Sequence, residues 1–530
     1  MTTIQGKNFI GYSLSALATK TFRSYVPAQD NYLEETFHPA TPDEVEQTMA
    51  LAEKAFDTYA SLPASQRADF LVAITEEIMA LGDALLERAH LETGLPMPRL
   101  QGERGRTVNQ LLQFADLIRE GSWVEARIDT ALPDRAPAPK PDLRKMLIPI
   151  GPIVVFGSSN FPFAYSVAGV DTGPALAAGN PVIVKAHPAH PGVSDLTAQA
   201  IVKAAQRTGM PEGVFSMLYD DGHEVGTALV QHPATKAVGF TGSMKGGMAL
   251  YKMAMERDEP IPVFAEMGSV NPVVILPKAL ESRTESLAKT LAGSVTLGAG
   301  QFCTNPGLVF TVQSPALAQF EASFQQEIAG VASATMLTAG ICQNYRSLRD
   351  EAVAHEGVKI LHRSEAEANH SNQAEATLAR VDAKTFIDNP TLQEEVFGPF
   401  SLLVVCEDTE ELYTALALLK GQLTTSLMAD AEEAAQYPQL LRLLTRRAGR
   451  FIMNGVPTGV EVCAAMHHGG PFPSTTDSRF TSVGRDAILR FVRPQSFQDW
   501  DNSLLPAELQ NENPRGIWRL VNNDWTQAHV

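Results

Sequence analysis

From about residue 145 onward, short apolar and β-branched runs alternate with stretches long enough to form a helix. The runs are KMLIPIGPIVVFG, NPVIVKAH, GVFSMLYD, KAVGFTGS, PVFAEMG and NPVVILP. Strands that are apolar throughout and separated by helices are typical of a parallel sheet with helices on both faces. The pattern predicts a doubly wound α/β domain, in which ligands bind beyond the carboxyl ends of the strands.

Two further regions complete the predicted architecture. After about residue 280 a second alternation, with LVFTVQ and SLLVVCE as predicted strands, indicates a second α/β domain. Near the start, apolar residues at helical spacing predict helices over about 43–60, 64–92 and 101–120, so this part is expected to be mostly helical. The segment 125–144 is rich in proline and charge, and it fits either a linker or a projecting hairpin that pairs with another subunit.

Composition argues against several classes of function. The 530 residues include 42 Lys and Arg against 60 Asp and Glu, and the net charge of −18 opposes non-specific binding to nucleic acid or an anionic membrane. The N-terminal sequence does not resemble a signal peptide, and no uninterrupted apolar run is long enough to span a membrane. The four cysteines lack the spacing of a zinc site or a disulfide scaffold. These features predict a reduced, cytoplasmic protein without a metal site.

One of the cysteines, Cys303, lies in the glycine-rich stretch GAGQFCTNPG. A nucleophilic cysteine reacts as a thiolate, so it needs a polar setting, a nearby base and donors for the oxyanion that forms on the substrate. The glycines allow close backbone approach, and the Cys303 amide is a candidate oxyanion donor. On this stretch alone, a small buried thiol without a catalytic role is the more common case.

Further candidate residues stand where predicted strands end. Glu266 ends a strand, where a general base would be useful, and Asn160 follows a strand in a position to donate to an oxyanion. Lys185 ends a third strand, and Gly242 with Ser243 opens a helix whose N-terminal amides suit a phosphate. Each has an ordinary structural alternative, because strand-end carboxylates, turn asparagines and Gly-Ser turns are common without any ligand.

Taken in order, the motifs SSNFPF, IVKAH, FTGS, AEMGS, GQFC and EVFGP resemble those of the NAD(P)-dependent aldehyde dehydrogenase superfamily over about residues 40–490. The resemblance implies an aldehyde dehydrogenase-like α/β fold with two doubly wound parallel-sheet domains and a small β oligomerisation element. It places the cofactor-binding domain at 1–124 and 145–267, the catalytic domain at 268–485, and the oligomerisation element with the tail at 125–144 and 486–530. A homodimer or homotetramer is expected.

The resemblance also assigns catalytic roles. Cys303 is the nucleophile, Glu266 the general base, and Asn160 with the Cys303 amide the oxyanion hole. Thiolate attack on an aldehyde then gives a thiohemiacetal, hydride transfer to the cofactor leaves a thioester, and water activated by Glu266 releases the acid.

For the cofactor, NAD or NADP, the resemblance assigns Lys185 to the ribose and phosphate region and Gly242 with Ser243 to the pyrophosphate. It assigns Glu395 to the nicotinamide ribose and Phe397 to packing near the nicotinamide.

One departure from the family pattern bears on the choice of cofactor. Many NAD-using members carry a Glu three residues beyond the strand-end Lys, where this chain has Pro188. Loss of that carboxylate removes repulsion against a 2′-phosphate, which Lys185 and His187 could attract. NADP is therefore expected to be accepted or preferred. A second departure, EMGSV at 266–270, retains the carboxylate of Glu266.

Within the family, the stretches KAHPAHPG, AEMGSVNP, GQFCTNPG and HHGGPFPSTTDSRF resemble the subgroup that oxidises 2,5-dioxopentanoate (2,5-dioxovalerate, α-ketoglutaric semialdehyde) to 2-oxoglutarate. A 2-oxo acid needs a cation or amide donors at its distant end. Arg106 and Arg479 are candidates, although a surface ion pair is the commoner role for either. Phe161 and Phe163 are candidate walls of the substrate tunnel.

Other functions remain open at this point. Succinic semialdehyde or a broad range of aliphatic aldehydes are alternative substrates. A CoA-acylating member would not need a water-activating base, so the retention of Glu266 argues against it. A catalytically idle binding protein on the same scaffold is expected to have lost Cys303 or Glu266, and both are present.

Overall fold

The computed structural model describes residues 3–364 and 372–530. Its α-helices are, in chain order, α1 Pro42–Ser61, α2 Ala64–Ala80, α3 Gly82–Thr93, α4 Met97–Glu120, α5 Thr172–Ala178, α6 Pro191–Arg207, α7 Glu224–Gln231, α8 Met244–Met255, α9 Pro277–Thr296, α10 Leu317–Ala329, α11 Ala339–Ala354, α12 Ala383–Asp388, α13 Thr409–Leu418, α14 Ala431–Ala434 and α15 Pro438–Arg447.

The strands are, in chain order, β1 Asn8–Ile10, β2 Ser13–Ser15, β3 Phe22–Val26, β4 Asn31–Phe37, β5 Arg127–Asp129, β6 Leu143–Pro149, β7 Ile153–Phe156, β8 Val182–Lys185, β9 Phe215–Leu218, β10 Ala237–Thr241, β11 Val263–Glu266, β12 Val273–Ile275, β13 Leu308–Val312, β14 Ala334–Thr335, β15 Lys359–Arg363, β16 Gln373–Ala374, β17 Thr377–Asp382, β18 Phe400–Cys406, β19 Gln422–Met428, β20 Ala448–Met453, β21 Val492–Gln498, β22 Arg519–Val521 and β23 Asp524–Thr526.

The first α/β domain is built on a seven-stranded sheet in the order β11-β10-β7-β8-β9-β1-β2. Strands β7 to β11 run parallel, and β1 and β2 extend one edge in antiparallel fashion. β7, β8 and β9 are short and apolar, as expected for strands with helices on both faces. The strand order reverses between β7 and β10. The loops that follow these two strands therefore diverge and leave a crevice at the carboxyl edge of the sheet.

The second α/β domain has a seven-stranded sheet in the order β15-β17-β18-β13-β12-β19-β20. All its pairs are parallel except that of β15 with β17. β18 and β19 are buried along their whole length because helices pack on both faces of the sheet. Together with the first domain, this confirms the predicted fold class of two doubly wound α/β domains.

A separate five-stranded sheet, β21-β6-β5-β22-β23, connects the segment before β7 to the C-terminal region. β6 pairs antiparallel with β5 and with the whole of β21. Of the two predictions for 125–144, the structure supports strand pairing rather than a linker, since the segment contains β5 and the start of β6.

The boundary of the first domain differs from the predicted residue 145. The run KMLIPIGPIVVFG is two strands, β6 in the small sheet and β7 in the first domain. Between them the amide groups of Ile150 and Gly151 donate to Oδ1 of Asn180, which holds the chain as it turns from one sheet to the other. The first domain therefore resumes after Pro149.

The first part of the chain is less helical than predicted. Strands β1 to β4 precede α1; β1 and β2 have only three residues each, and β4 is polar and largely exposed, so they give little apolar signal. The predicted helix over 64–92 is two helices, α2 and α3, because the chain turns at Gly82 with a left-handed φ of +58°. α4 begins at Met97 rather than near residue 101.

In the described part of the chain, no helix is both long enough and apolar enough to cross a lipid bilayer.

Candidate active site

The crevice of the first sheet collects the predicted strand-end residues. Asn160 follows β7, Lys185 ends β8, Gly242 and Ser243 follow β10, and Glu266 ends β11. All four strands are parallel, so their carboxyl ends meet at one edge. The switch point lies between the loops that carry Asn160 and Gly242, which is where ligands bind in doubly wound folds.

Cys303 reaches this crevice from the second domain on a short loop after α9. Gly298, Ala299 and Gly300 all have positive φ, at +56°, +57° and +65°. A Cβ atom on Gly300 would lie 2.2 Å from the backbone carbon of Gly398, so only glycine allows this close approach of the two loops.

One asparagine, Asn271, also holds this loop through hydrogen bonds to its backbone. Nδ2 of Asn271 donates to the carbonyl oxygen of Cys303 at 2.8 Å and to that of Asn305 at 3.0 Å. Asn271 is fully buried, two residues before β12. The backbone at the thiol and just after it is thereby held next to the second sheet.

Cys303, Glu266 and a histidine absent from the predicted site, His468, form one cluster. His468 Nε2 lies 3.0 Å from Oε1 of Glu266 and 3.7 Å from Sγ of Cys303. Ser482 Oγ donates a short hydrogen bond to Oε2 of the same carboxylate. Glu266 and His468 are 3% and 1% exposed, whereas Cys303 is half-buried. The thiol is the member of the cluster that a substrate can reach.

His468 and Ser482 come from two passes of one long loop between β20 and β21. The Ser482 amide donates to the carbonyl oxygen of His468, and the His468 amide donates to Oγ1 of Thr481. The loop also pairs with the outer edge of β11 through an isolated bridge between Glu266 and Thr475. This pairing holds His468 and Ser482 against the carboxylate.

The surroundings of the cluster shift the pKa values of its two acidic groups, the Cys303 thiol and the Glu266 carboxyl, in opposite directions. Burial, then the charge and hydrogen bond of Glu266, raise the pKa of the Cys303 thiol well above its ordinary value. Burial would also raise the pKa of the Glu266 carboxyl, but the charge of His468 and hydrogen bonds from His468 and Ser482 outweigh it and leave that pKa lowered. The cluster therefore holds an ionised carboxylate beside a neutral thiol.

Donors for an oxyanion are present beside the thiol. The Asn160 side chain is 8% exposed, and its Nδ2 donates one hydrogen bond, to the carbonyl oxygen of Gln301 at 3.1 Å. Its second N–H is left for a ligand. Within the described residues, the Cys303 amide donates to no protein acceptor. The predicted pair is therefore brought together at the thiol.

The predicted pyrophosphate residues lie at the start of α8. Ser243 is the N-cap of this helix and accepts the amide of Gly246 at 3.2 Å, and Gly242 and Ser243 are both exposed. A Cβ atom on Gly247 would lie 2.7 Å from Sδ of Met267, so glycine allows the helix to approach the segment after β11. The exposed N-terminal amides of α8 suit an anion.

Lys185, the last residue of β8, and His187, two residues after it, lie together at the end of this strand. Burial lowers the Lys185 pKa, against the opposing charges of Asp220 and Asp221. Burial, followed by the charges of His190 and Lys185, lowers the His187 pKa well below its ordinary value. His187 is therefore neutral at neutral pH, and Lys185 supplies the positive charge at this position.

Glu395 and Phe397 face the thiol loop from the second domain. With Ser269 and Phe302 they line a small cavity of about 20 Å³. Burial raises the Glu395 pKa to about 7, despite a hydrogen bond from the Ser269 amide that lowers it.

The predicted substrate residues are only partly brought together. The Phe161 ring packs edge-on against that of Phe302, with centroids 5.5 Å apart, next to Cys303. The Arg106 guanidinium lies over the Tyr165 ring at 5.6 Å, and its charge acts on the thiol. Phe163, by contrast, lies in the main core of the first domain.

Arg479 does not reach the cluster. Its side chain is 79% exposed and binds Asp477. Arg106 lies in a predicted helix and Arg479 in a predicted loop, but neither position shows which side chain faces the thiol, so the sequence did not distinguish them.

Two arginines near the thiol were missed. Arg99 lies over the rings of both Phe161 and Phe302, at 5.0 and 4.7 Å, and its Nη2 donates to the carbonyl oxygen of Asn160 at 2.7 Å. Arg450, on β20, is close enough for the Cys303 thiol to affect its pKa, which burial lowers. Neither lies in a motif. His468, in contrast, could have been noticed as a histidine in the HHGGPF stretch next to a predicted site segment.

Comparison with known proteins agrees with this geometry. The model of the "Aldehyde dehydrogenase family" matches residues 15–496. Alpha-ketoglutaric semialdehyde dehydrogenase 2 of Azospirillum brasilense is 50% identical over 518 residues, which cover 98% of each chain. Alpha-ketoglutaric semialdehyde dehydrogenase of Acinetobacter baylyi is 46% identical over 528 residues, 99% of this chain and 100% of the relative.

Among solved structures, 3,6-anhydro-L-galactose dehydrogenase in complex with NAP has a similar fold. The TM-score is 0.79 at 22% sequence identity, over 93% of this chain and 99% of that chain. The match to the family extends over most of the sequence and includes the crevice, the thiol loop and the Glu395 loop. The chain belongs to the aldehyde dehydrogenase family and is an NAD(P)-dependent oxidoreductase.

Proposed function

We propose that this chain oxidises α-ketoglutaric semialdehyde (2,5-dioxopentanoate) to 2-oxoglutarate. The observation that carries the proposal is full-length identity of 50% and 46% to two relatives that bear this activity in their names. A cation near the thiol, Arg106, suits a substrate with a carboxylate at its far end.

In the proposed reaction Cys303 attacks the aldehyde carbon and forms a thiohemiacetal. The oxyanion lies between the Asn160 side chain and the Cys303 amide, which need no reorganisation because the protein already holds them. A nicotinamide cofactor supplies the hydride acceptor. The thioester left on Cys303 is then hydrolysed by water that loses a proton to Glu266, whose lowered pKa keeps it ionised at neutral pH.

For the carboxylate of the substrate we assign Arg106 rather than Arg479. Nε of Arg106 is buried without a hydrogen-bond partner among the described residues, and Nη2 makes only a long contact of 3.4 Å to the Tyr165 hydroxyl. A buried donor left unpaired costs about 1–3 kcal/mol, which a bound carboxylate would offset. Arg479 already binds Asp477 at the surface.

For the cofactor we propose a preference for NADP over NAD. Lys185 is the cation of this region, and Pro188 stands where a carboxylate would repel a 2′-phosphate. Neutral His187 can donate one hydrogen bond but contributes no charge before the phosphate binds. Gly242 and Ser243 at the start of α8 would hold the pyrophosphate, and Glu395 with Phe397 would contact the nicotinamide half.

We further propose a homodimer or homotetramer assembled through the five-stranded sheet. That sheet and the tail after it carry exposed large apolar side chains, namely Leu143, Trp500, Leu504, Trp518 and Trp525. A second copy of the chain would bury this surface. A cytoplasmic location suits an enzyme with a reactive thiol and four free cysteines.

The substrate is tested by following reduced cofactor with a panel of aldehydes. The panel contains 2,5-dioxopentanoate, succinic semialdehyde and a neutral aliphatic aldehyde, each with NADP and with NAD. We expect the highest kcat/KM for 2,5-dioxopentanoate with NADP and no turnover by Cys303→Ala. A higher kcat/KM for succinic semialdehyde would reject the proposed substrate, and acid formation only in the presence of CoA would reject the proposed hydrolysis step.

A further inference from the structure

The imidazole of His468 lies within reach of both reacting side chains, yet neither the family motifs nor the proposed roles use it. It faces Cys303 and Glu266 with the same nitrogen, Nε2, at 3.7 and 3.0 Å. Nδ1 is buried and has no hydrogen-bond partner among the described residues. No partner at Nδ1 fixes the tautomer. With the proton on Nδ1, Nε2 presents a lone pair to the thiol. Once Nε2 is protonated, its N–H faces the thiol sulfur and the Glu266 carboxylate, and the positive charge that lowers the Glu266 pKa belongs to this second form.

We propose that His468 is a catalytic base that takes the thiol proton of Cys303. The S–H bond breaks, an N–H bond forms at Nε2, and the products are a thiolate and an imidazolium. The new N–H lies between two anions, the Cys303 thiolate and the Glu266 carboxylate, and both stabilise it. The step needs no cofactor and no substrate, so it rests on the chemistry of the family and not on which aldehyde is oxidised.

The alternative base, Glu266, is less suited to this proton. Burial raises the pKa of the thiol, while the pKa of the Glu266 carboxyl lies below its ordinary value despite its burial, in part because Ser482 donates a hydrogen bond to it. Proton transfer from a weakened acid to a weakened base is unfavourable. An imidazole is the better match for a thiol near neutral pH, as in other cysteine nucleophiles that are paired with histidine.

The surroundings of Cys303 and His468 favour the formation of a thiolate and an imidazolium. A thiolate and an imidazolium that form together keep the net charge of the buried cluster unchanged, whereas a lone thiolate beside Glu266 would add a second negative charge. The charged or titratable groups that face the pair from other elements are Glu266 from β11, Tyr165 after β7, Arg106 from α4, Arg450 from β20 and Glu395 before β18. His467 adjoins His468 in its own loop.

This arrangement gives His468 and Glu266 separate roles in the two halves of the reaction. His468 prepares the nucleophile for the first half of the reaction, and Glu266 remains ionised and free to activate water in the second half. Ser482 holds the Glu266 carboxylate through a hydrogen bond to Oε2, and Thr481 accepts a hydrogen bond from the His468 amide. Both reacting groups are thereby kept in place.

The test measures alkylation of Cys303 by iodoacetamide across pH, without cofactor or aldehyde. Cys463 is exposed and would react as well, so modification is read on the Cys303 peptide by mass spectrometry. His468→Gln keeps a polar side chain but removes the base. We expect its alkylation rate near neutral pH to fall by roughly 10–100-fold and to recover toward the wild-type rate at high pH, where hydroxide removes the thiol proton.

The neighbouring His467→Gln is the matched control, because His467 is in the same loop but outside the cluster, and its alkylation profile should match that of the wild type. His468→Asn provides a second variant, and thermal unfolding identifies any variant that has lost its fold. If correctly folded His468→Gln and His468→Asn alkylate at the wild-type rate, or if Glu266→Gln alone abolishes the neutral-pH reactivity, Glu266 and not His468 is the base for the thiol. Neither outcome depends on the aldehyde panel.

Discussion

A Cβ atom added to Gly268 would lie 2.1 Å from Oε2 of Glu395, so the backbone after β11 and the carboxylate of the second domain are in direct contact. Glycine at 268 is thus required for Glu395 to occupy its position beside the thiol loop. The contact joins the two α/β domains at the place assigned to the nicotinamide ribose.

Gly268→Ala should therefore displace Glu395 and weaken cofactor binding. We expect the KM for the cofactor to rise at least about tenfold, the equivalent of 1.4 kcal/mol, with a smaller change in the KM for the aldehyde. Gly293→Ala is the control, since a Cβ at that position on α9 meets no atom within 4 Å. Equal cofactor KM values for Gly268→Ala and the wild type would show that Glu395 does not contact the cofactor.

Glu266→Gln should separate the two halves of the reaction. Because His468 activates the thiol, reduced cofactor should still form in a burst of at most one equivalent per Cys303. Steady-state turnover should fall by about 10²–10⁴-fold, the usual contribution of a general base. Stopped-flow absorbance checks both, with the exposed Glu259→Gln as the control. Loss of the burst itself would place Glu266 before hydride transfer.

Arg106→Ala should impair acidic substrates selectively. We expect the KM for 2,5-dioxopentanoate to rise by about 10-fold or more, in line with a charged hydrogen bond of 1.5–3 kcal/mol, and the KM for a neutral aldehyde to change little. Arg479→Ala should leave both KM values unchanged, because that side chain is 79% exposed and paired with Asp477. A similar rise for both aldehydes in Arg106→Ala would mean that Arg106 only supports the fold.

Pro188→Glu should shift the cofactor preference toward NAD. A carboxylate at 188 would repel the 2′-phosphate and could accept the ribose hydroxyls, so kcat/KM with NADP should fall at least about tenfold while that with NAD is kept or improved. Pro188→Gln matches the new side chain in size without its charge. If kcat/KM with NADP falls equally in both variants, the effect comes from the loss of proline and not from the added charge.

Glu395 should make the stability of the wild type depend on pH. Its pKa is 4.5 when exposed and about 7 in the fold, so between these values the folded protein binds more protons than the unfolded chain. Stability therefore falls as pH rises from about 4.5 to about 7, by on the order of 2 kcal/mol for this half-buried group, and then levels off.

Glu395→Gln removes this contribution, so the gain in unfolding temperature of the variant over the wild type should grow between about pH 5 and pH 8. Thermal unfolding followed by circular dichroism at several pH values measures this difference in unfolding temperature, with the exposed Glu356→Gln as the control. If the difference in unfolding temperature between Glu395→Gln and the wild type stays constant with pH, Glu395 does not titrate in this range.

The outline of the fold and most of the site could be predicted from the sequence because they depend on local patterns. Apolar runs of the length of β7, β8 and β10 identify parallel strands, and side chains directly after them must lie at one edge of the sheet. Asn160, Lys185, Gly242 and Glu266 follow from this rule. The polar hairpin of β3 and β4 and the division of β6 from β7 do not, since an exposed strand has no apolar signal and one continuous run can serve two sheets.

By itself, the sequence determined which chemical groups are available and which strand end carries each, because both are set by the order of residues along the chain. The tertiary structure alone decided which groups meet. His468 lies 165 positions from Cys303, yet its ring is 3.7 Å from the thiol because the loop after β20 pairs with the edge of β11. The same folding left Arg479 at the surface and brought Arg106 toward the thiol. Contacts of this kind depend on how loops from two domains close over one crevice, and no spacing in the sequence encodes that distance.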